Sequence, residues 1–266
     1  MNTVAKKMAL EQALDNIRAR FGPNSIMRLG DLPVPSEDVI PTGLPDLDAV
    51  FGIGGVPKGR IIEVYGPESS GKTALALHIA RQAPNALYLD ADHGLVPWLC
   101  EGLHMLTVDT LEDALEAVRV AAPAFDVIVI DTLAALPMME DTVTDLHMRK
   151  CPANLLSRAL PVLTAELANS GCTLVVVNQL RDIPGVMYGN PEKTTGGRAL
   201  KFYASVRLGI RRIEMLKEKS EIVGQRVRIR CVKNKVAPPF REAVLDLWYD
   251  GRGLRCEPRR ERRVAV

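Results

Sequence analysis

Apolar positions recur along this chain with two different periods, and the switches between them mark its elements. Residues 4–21 carry Leu10, Leu14, Ile17 and Phe21 at i, i+4, i+7 and i+11 with charges between them, which predicts an amphipathic helix. Gly22-Pro23-Asn24 stops it, residues 25–29 read as a short strand, and a Pro-rich connection follows at 33–36. An arm this small cannot bury a core alone, so it is expected to pack on its own core or on a neighbour's. Beyond it, strands are predicted at 60–65, 86–90, 126–131, 173–178, 204–211 and 226–233, and helices at 72–83, 111–121 and 152–169. Asp126-Val127-Ile128-Val129-Ile130-Asp131 and Thr173-Leu174-Val175-Val176-Val177-Asn178 are almost continuously apolar, as strands covered on both faces of a parallel sheet must be. Alternation of strand and helix predicts an α/β fold, a mostly parallel twisted sheet with helices on both faces. The strands after 204 follow one another with little helix and are expected to form an antiparallel extension.

The loop between the first predicted core strand and helix, Gly66-Pro67-Glu68-Ser69-Ser70-Gly71-Lys72-Thr73, has the G-x-x-x-x-G-K-T spacing of a phosphate-binding P-loop. Strand, glycine loop and helix in that order aim successive N–H groups and a helix N-terminus at one point, which suits a polyphosphate. Lys72 is expected to reach the β- and γ-phosphates of a nucleoside triphosphate, and the Thr73 hydroxyl to ligate Mg²⁺.

Ligands of open α/β sheets sit beyond the carboxyl ends of the strands, and three polar groups stand there. Asp131 fits a carboxylate that holds Mg²⁺ through water, or a helix N-cap. Asp90-Ala91-Asp92 fits a carboxylate that orients an attacking water, or a plain turn. Gln179 fits a γ-phosphate sensor or a buried structural glutamine. The Gly/Pro-rich stretch 180–197 is long enough to be functional, and its place after Gln179 lets nucleotide state order it. Lys233 and Lys235 stand at strand period, facing one side as functional or merely solvated cations.

Composition adds limits. Of 266 residues 47% are hydrophobic and 25% charged, ordinary for a soluble globular protein, and no apolar run is long enough to span a membrane. Net charge is only +2, yet basic residues crowd 201–235 and the tail from 251, compatible with an anionic polymer partner or a solvated face. Five scattered cysteines without a C-x-x-C pair point to reduced thiols in a cytoplasmic protein, and the four histidines lack metal-ligand spacing.

Several blocks together carry a more specific likeness. The P-loop with its flanks, Ser25-Ile26-Met27-Arg28-Leu29-Gly30, Gly185-Val186-Met187-Tyr188-Gly189-Asn190-Pro191-Glu192, Thr194-Thr195-Gly196-Gly197, Ala199-Leu200-Lys201-Phe202-Tyr203-Ala204-Ser205-Val206-Arg207 and Val232-Lys233-Asn234-Lys235 resemble the bacterial RecA recombinase family over residues 8–250. The resemblance implies a RecA-type P-loop NTPase core at 34–250, an N-terminal polymerisation arm at 1–33 and a basic tail at 251–266. It implies an ATP- and Mg²⁺-dependent ATPase that forms a helical filament on single-stranded DNA, then pairs it with duplex DNA. That filament is homo-oligomeric or mixed with another RecA-like protein. Catalysis falls to Lys72, Asp92, Gln179 and, in trans from the adjacent subunit, Lys233 and Lys235. Residues 181–197 match the second DNA-binding loop, with Arg181, Met187, Tyr188, Gly189, Asn190, Gly196 and Gly197 at the contacts. Ile26, Arg28 and Phe202 match the subunit interface.

Four departures temper these expectations. Asp92 stands where the family has a catalytic glutamate and is one methylene shorter, so slowed hydrolysis is expected. Val96 and Leu99 replace a polar and an aromatic contact to the base, with Trp98 nearby. The first DNA loop, 137–151, is short and carries Glu140, Asp141 and Asp145; Asn154 replaces an arginine beyond it, and Asp182 adds a charge to the second loop. The chain ends where the family continues into a small C-terminal domain. A regulator that binds ATP and recombinase filaments without strand exchange is the alternative, and a P-loop small-molecule kinase accounts only for the first 130 residues.

Overall fold

Residues 3–23, 25–26, 39–95, 100–138, 152–182 and 192–256 are described by a computed structural model of the chain. Two compact units divide it, Met1–Glu37 and Asp38–Val266. The first holds helix α1 (Thr3–Phe21), as its periodicity predicts. Gly22, at φ 99°, ends it by donating its N–H to Arg18 O over 2.9 Å. Val4, Met8, Leu10 and Phe21 are exposed along α1. Ser25 and Ile26 are irregular, not strand, and the rest of the strand expected at 25–29 lies outside the described residues.

The second unit opens with β1 (Val39–Ile40), α2 (Pro45–Phe51) and β2 (Val56–Pro57), none of them expected. Proline at the start of α2 and Gly52 at φ 82° past its end bound that short helix. The predicted alternation then follows as β3 (Ile61–Gly66), α3 (Lys72–Ala80), β4 (Ala86–Asp90), an unexpected β5 (His104–Thr107), α4 (Leu111–Ala121), β6 (Val127–Asp131), α5 (Pro152–Ser170) and β7 (Thr173–Asp182). After β8 (Glu192–Thr194) and α6 (Ala199–Tyr203) come two long strands, β9 (Val206–Glu218) and β10 (Glu221–Asn234), and then β11 (Glu242–Trp248) and β12 (Gly253–Cys256).

Among the described residues the main sheet runs β12-β11-β10-β9-β3-β7-β6-β4-β5, with β8 paired to β7. From β9 to β5 every pairing is parallel; from β9 to β12 every pairing is antiparallel. The expected antiparallel extension is therefore present. Part of the stretch read as tail belongs to it, since β12 pairs with β11 and Leu254 is buried. Residues 257–266 lie outside the described residues. Alternate side chains of the central strands feed two hydrophobic cores. Val64, Val129 and Val177 pack toward α2 and α3, while Ile128, Ile130 and Val176 pack toward α4 and α5. Burying both faces leaves the strands' carboxyl ends as the place where polar groups concentrate.

Candidate functional site

Strand β3 runs into Gly66-Pro67-Glu68-Ser69-Ser70-Gly71-Lys72-Thr73, and α3 starts at Lys72. Ser69 and Gly71 occupy the left-handed region, at φ 55° and 93°. A side chain at Gly71 would also stand 3.1 Å from Leu247 Cδ2, so both conformation and space call for glycine. The Ser70 hydroxyl donates to Pro67 O over 2.8 Å, and Lys72 Nζ donates to the same carbonyl over 2.7 Å. Lys72 is buried; that burial lowers its pKa, against the charges of Asp131 and Glu68.

Asp131 ends β6 with its carboxylate buried. Tyr88 donates its hydroxyl to Asp131 Oδ2 over 2.6 Å, and Thr73 hydrogen-bonds the same carboxylate. Burial raises the pKa of Asp131, opposed by those two bonds and by Lys72. No helix starts at this point, because residues 132–135 form a turn, so capping does not explain the aspartate. A hydroxyl and a carboxylate in contact beside a P-loop suit Mg²⁺, which favours oxygen ligands and keeps much of its water. The described residues contain no cluster of three or more His, Cys, Asp or Glu that could hold a metal, so phosphate and water would complete its shell.

Across the sheet Asp90 pairs in register with Asp131. Asp90 is buried; its Oδ2 accepts from Leu95 N over 3.3 Å, while Oδ1 meets no donor among the described residues. Asp92 accepts from Gly94 N over 3.1 Å and also hydrogen-bonds Asp90. Burial first, then the bond to Asp90, pushes the Asp92 pKa up. Its carboxyl is thus turned back onto its neighbour.

Gln179 is the register partner of Gly66, which sets it beside the P-loop, and it is exposed, so the reading as a buried structural glutamine does not hold. The buried glutamine-like role belongs to Asn178, whose Nδ2 donates to Glu63 Oε1 over 3.0 Å and to Thr195 O over 2.9 Å. That amide ties the P-loop strand to the foot of Gly196-Gly197, which stand at φ 85° and 71°. Arg181 lies opposite Lys193 where β7 meets β8. Met187, Tyr188, Gly189, Asn190, Arg28, Val96, Trp98, Leu99 and most of the first loop lie outside the described residues.

Lys233 and Lys235 converge as strand period requires. Lys233 Nζ donates to Lys201 O and Phe202 O over 2.6 and 2.8 Å, and Lys235 Nζ reaches Phe202 O over 3.1 Å. Both cations therefore cap the end of α6. Phe202 itself is exposed, with Lys235 above its ring. Burial, Lys235 and Arg207 lower the pKa of Lys233.

Two hollows flank these groups, and both escaped the sequence reading. One, of about 630 Å³, runs from Ser69, Gly71 and Lys72 along α3 to His78 and Arg81, closed by Gln225, Leu247 and Tyr249 of the antiparallel extension. The other, of about 350 Å³, is basic: Lys201, Arg211, Arg228 and Arg230 line it with Glu242, next to Leu180 and Thr194. Residues of β10 and β11 lie some 150 positions beyond the P-loop, so no local spacing announces their approach. Alternation of arginines at 226, 228 and 230 was the available signal for the basic hollow.

The P-loop, the Thr73–Asp131 contact and the sheet order define a RecA-type P-loop NTPase core. A model of the RecA N-terminal domain matches residues 8–255. Protein RecA of Frankia casuarinae is 50% identical over 262 residues, covering 92% of this chain and 76% of its own length. Protein RecA of Bifidobacterium breve is 49% identical over 268 residues, covering 95% and 68%. The crystal structure of the RadB recombinase superposes with a TM-score of 0.60 at 20% identity, over 82% of this chain and 100% of that one, a likeness of fold alone. The chain belongs to the RecA family. None of its described helices is long and apolar enough to cross a membrane.

Proposed function

We propose that this chain is a RecA-like recombinase that binds ATP and Mg²⁺, polymerises on single-stranded DNA in the cytoplasm and pairs that strand with duplex DNA. One observation carries the reading: Gly66 of the P-loop and Gln179 of β7 are register partners, so the nucleotide cradle and the approach to the Gly196-Gly197 loop share one strand pair. In this reading Lys72 holds the β- and γ-phosphates. The P-loop residues Gly66, Pro67, Glu68, Ser69, Ser70 and Gly71 surround them. Thr73, and Asp131 through water, hold Mg²⁺, which would neutralise charge developing on the phosphates. Gln179, exposed beside the loop, reads the γ-phosphate. Arg181, Met187, Tyr188, Gly189, Asn190, Gly196 and Gly197 contact DNA, where glycines let backbone approach phosphates and apolar side chains meet bases. Ile26, Arg28 and Phe202 join subunits into a helical filament, homo-oligomeric or mixed with another RecA-like protein. Lys233 and Lys235 face the ATP of the adjacent subunit once they leave the α6 carbonyls.

Asp92 is the weak member. An aspartate sets its carboxylate back by ~1.5 Å relative to glutamate, and a misplacement of about 1 Å can cost ~100-fold in rate. Its bonds to Gly94 and Asp90 retract it further. Hydrolysis is therefore slow, and Asp92→Glu is expected to raise the turnover number; an unchanged or lower value sinks that assignment. The whole reading is tested by single-stranded-DNA-stimulated ATP hydrolysis together with filament imaging in a poorly hydrolysed ATP analogue. Filaments with weak stimulated turnover are expected. Absence of both filaments and turnover overturns it.

A further inference from the structure

The cavity beside the P-loop extends well past the phosphates' place, and two of its polar side chains, His78 at the far end and Gln225 at the P-loop end, have a definite hydrogen-bonding sense. His78 lies on α3 six residues beyond Lys72, about 9 Å along the helix axis at 1.5 Å per residue. That is comparable to the span from a nucleotide's phosphates to its base. His78 lines the cavity, and its Nε2 is 2.8 Å from Thr42 O. A carbonyl only accepts, so Nε2 must carry the proton. Burial of the ring favours the neutral form, in which the other nitrogen has a lone pair. Nδ1 is thus an acceptor, and it makes no hydrogen bond among the described residues.

A second group at this cavity is oriented the same way. Gln225 donates Nε2 to Ser69 O over 3.1 Å, and that carbonyl fixes which way the amide points. Its Oε1, buried, is left with no donor among the described residues. Phosphate oxygens are acceptors and cannot satisfy either atom. At His78, remote from the P-loop, the donor would come from the nucleoside half of the ligand.

We infer that His78 Nδ1 is a base-reading acceptor that selects the 6-amino group of adenine, making His78 a specificity-determining residue of this site. The inference rests on the nucleotide-binding reading proposed above. It assigns base selection to the helix that follows the P-loop, so that selection does not depend on Val96 and Leu99. Guanine presents an oxygen at that position and would set acceptor against acceptor, which is how a polar site rejects the wrong base.

The test is equilibrium binding of ATP, purine riboside triphosphate (which lacks the 6-amino group), GTP, 2′-deoxy-ATP and inorganic triphosphate. It compares the full chain with His78→Leu, which removes the acceptor, and His78→Asn, which returns one near the Nδ1 position. Wild type is expected to prefer ATP over purine riboside triphosphate by about tenfold, the value of one hydrogen bond with an unpaired acceptor avoided. His78→Leu should bring that ratio close to one with inorganic triphosphate binding unchanged, which also certifies the fold, and His78→Asn should restore part of it. An unaltered ratio in His78→Leu overturns the inference. So does a loss that tracks 2′-deoxy-ATP in place of the purine analogue, because the contact would then be to sugar. Wild type that binds every triphosphate equally defeats this inference alone. Wild type that binds none defeats the nucleotide reading beneath it as well.

Discussion

The two halves of the main sheet handle charge in opposite ways. From β9 to β5 the strands are parallel, and the central ones, β3, β7, β6 and β4, are covered on both faces, so Val64, Val129 and Val177 are wholly buried. Glu63 within β3 is paired with Arg207, and Asp90 and Asp131 stand where strands end. From β9 to β12 the strands are antiparallel with one face open. There Arg226, Arg228 and Arg230 alternate with buried Val227, Ile229 and Cys231, and each arginine faces a carboxylate on a neighbouring strand. The parallel half thus leaves one buried carboxylate oxygen at its strand ends, Asp90 Oδ1, without a donor among the described residues, while the extension sets Arg226, Arg228 and Arg230 against carboxylates. Binding chemistry concentrates where partners are missing.

The sharpest way to break this contrast is to put a charge inside the parallel half. Val129→Asp places a carboxylate among fully buried side chains, between Tyr88 and Val175 in register. An unpaired buried charge costs about 4 kcal/mol or more, so the variant is expected to be unfolded or aggregated at 25 °C by circular dichroism. A cooperative transition near the wild-type midpoint would show that this core tolerates charge.

In the extension the corresponding experiment removes a partner. Arg226 donates to both oxygens of Asp246, over 2.7 and 3.1 Å, and to Glu214 over 2.7 Å. Asp246 is itself buried. Arg226→Ala strands that carboxylate, and a loss of about 2–4 kcal/mol is expected in urea unfolding. Pairing Arg226→Ala with Asp246→Ala should recover much of the loss; no recovery would mean that Arg226 acts through packing.

These charges also explain how far sequence reading reached. The runs at 126–131 and 173–178 are covered on both faces and therefore spell strand by composition alone. The P-loop is a contiguous local motif, so Lys72 and Thr73 were legible from it, while Asp131 was legible from its place after the apolar run of β6. Strand β11 was not, because Val244 and Trp248 on the face opposite Ala243, Leu245 and Leu247 blur its period-2 signal, and the buried Asp246 on that face is paired by Arg226, twenty residues earlier in the chain. Edge strand β5 is exposed throughout, which removes the apolar signal. His78 and Gln225 were illegible as site residues, since one reads as an ordinary helix position and the other meets the P-loop only through the sheet's closure. Asp92 was legible as a departure, whereas its retraction onto Asp90 is a fact of conformation.

A smaller effect tests the end of β6. Asp131→Asn keeps an acceptor for Tyr88 and removes a buried negative charge. The native carboxyl has a raised pKa, so between the unfolded and native values the native state holds the extra proton. The aspartate's contribution to stability is therefore present at low pH and is lost as pH rises through the native pKa. Asparagine does not titrate, so at neutral pH the variant is expected to be more stable by on the order of 1 kcal/mol. The gain should shrink on acidification while Mg²⁺-dependent ATP binding falls. A destabilised variant at neutral pH would mean that the carboxylate is structurally favourable where it stands.

The least disruptive change belongs to the open face of the extension. Arg228 and Arg230 lie 3.8 and 3.3 Å from Glu242, with all three side chains about half exposed. Exposed pairs like these contribute about 0–1 kcal/mol, so Arg228→Gln and Arg230→Gln should each move the unfolding midpoint barely at all. Both nevertheless line the basic hollow beside Thr194, where two arginines share one glutamate and a positive surplus remains. If that surplus meets nucleic-acid phosphates, each substitution should lower the slope of log affinity against log salt by about one and weaken binding alike for all sequences. Loss of stability without any change in salt slope would make the arginines part of the fold's own charge pairing. A change in slope with unchanged stability marks them as charges of the extension held in reserve for a ligand.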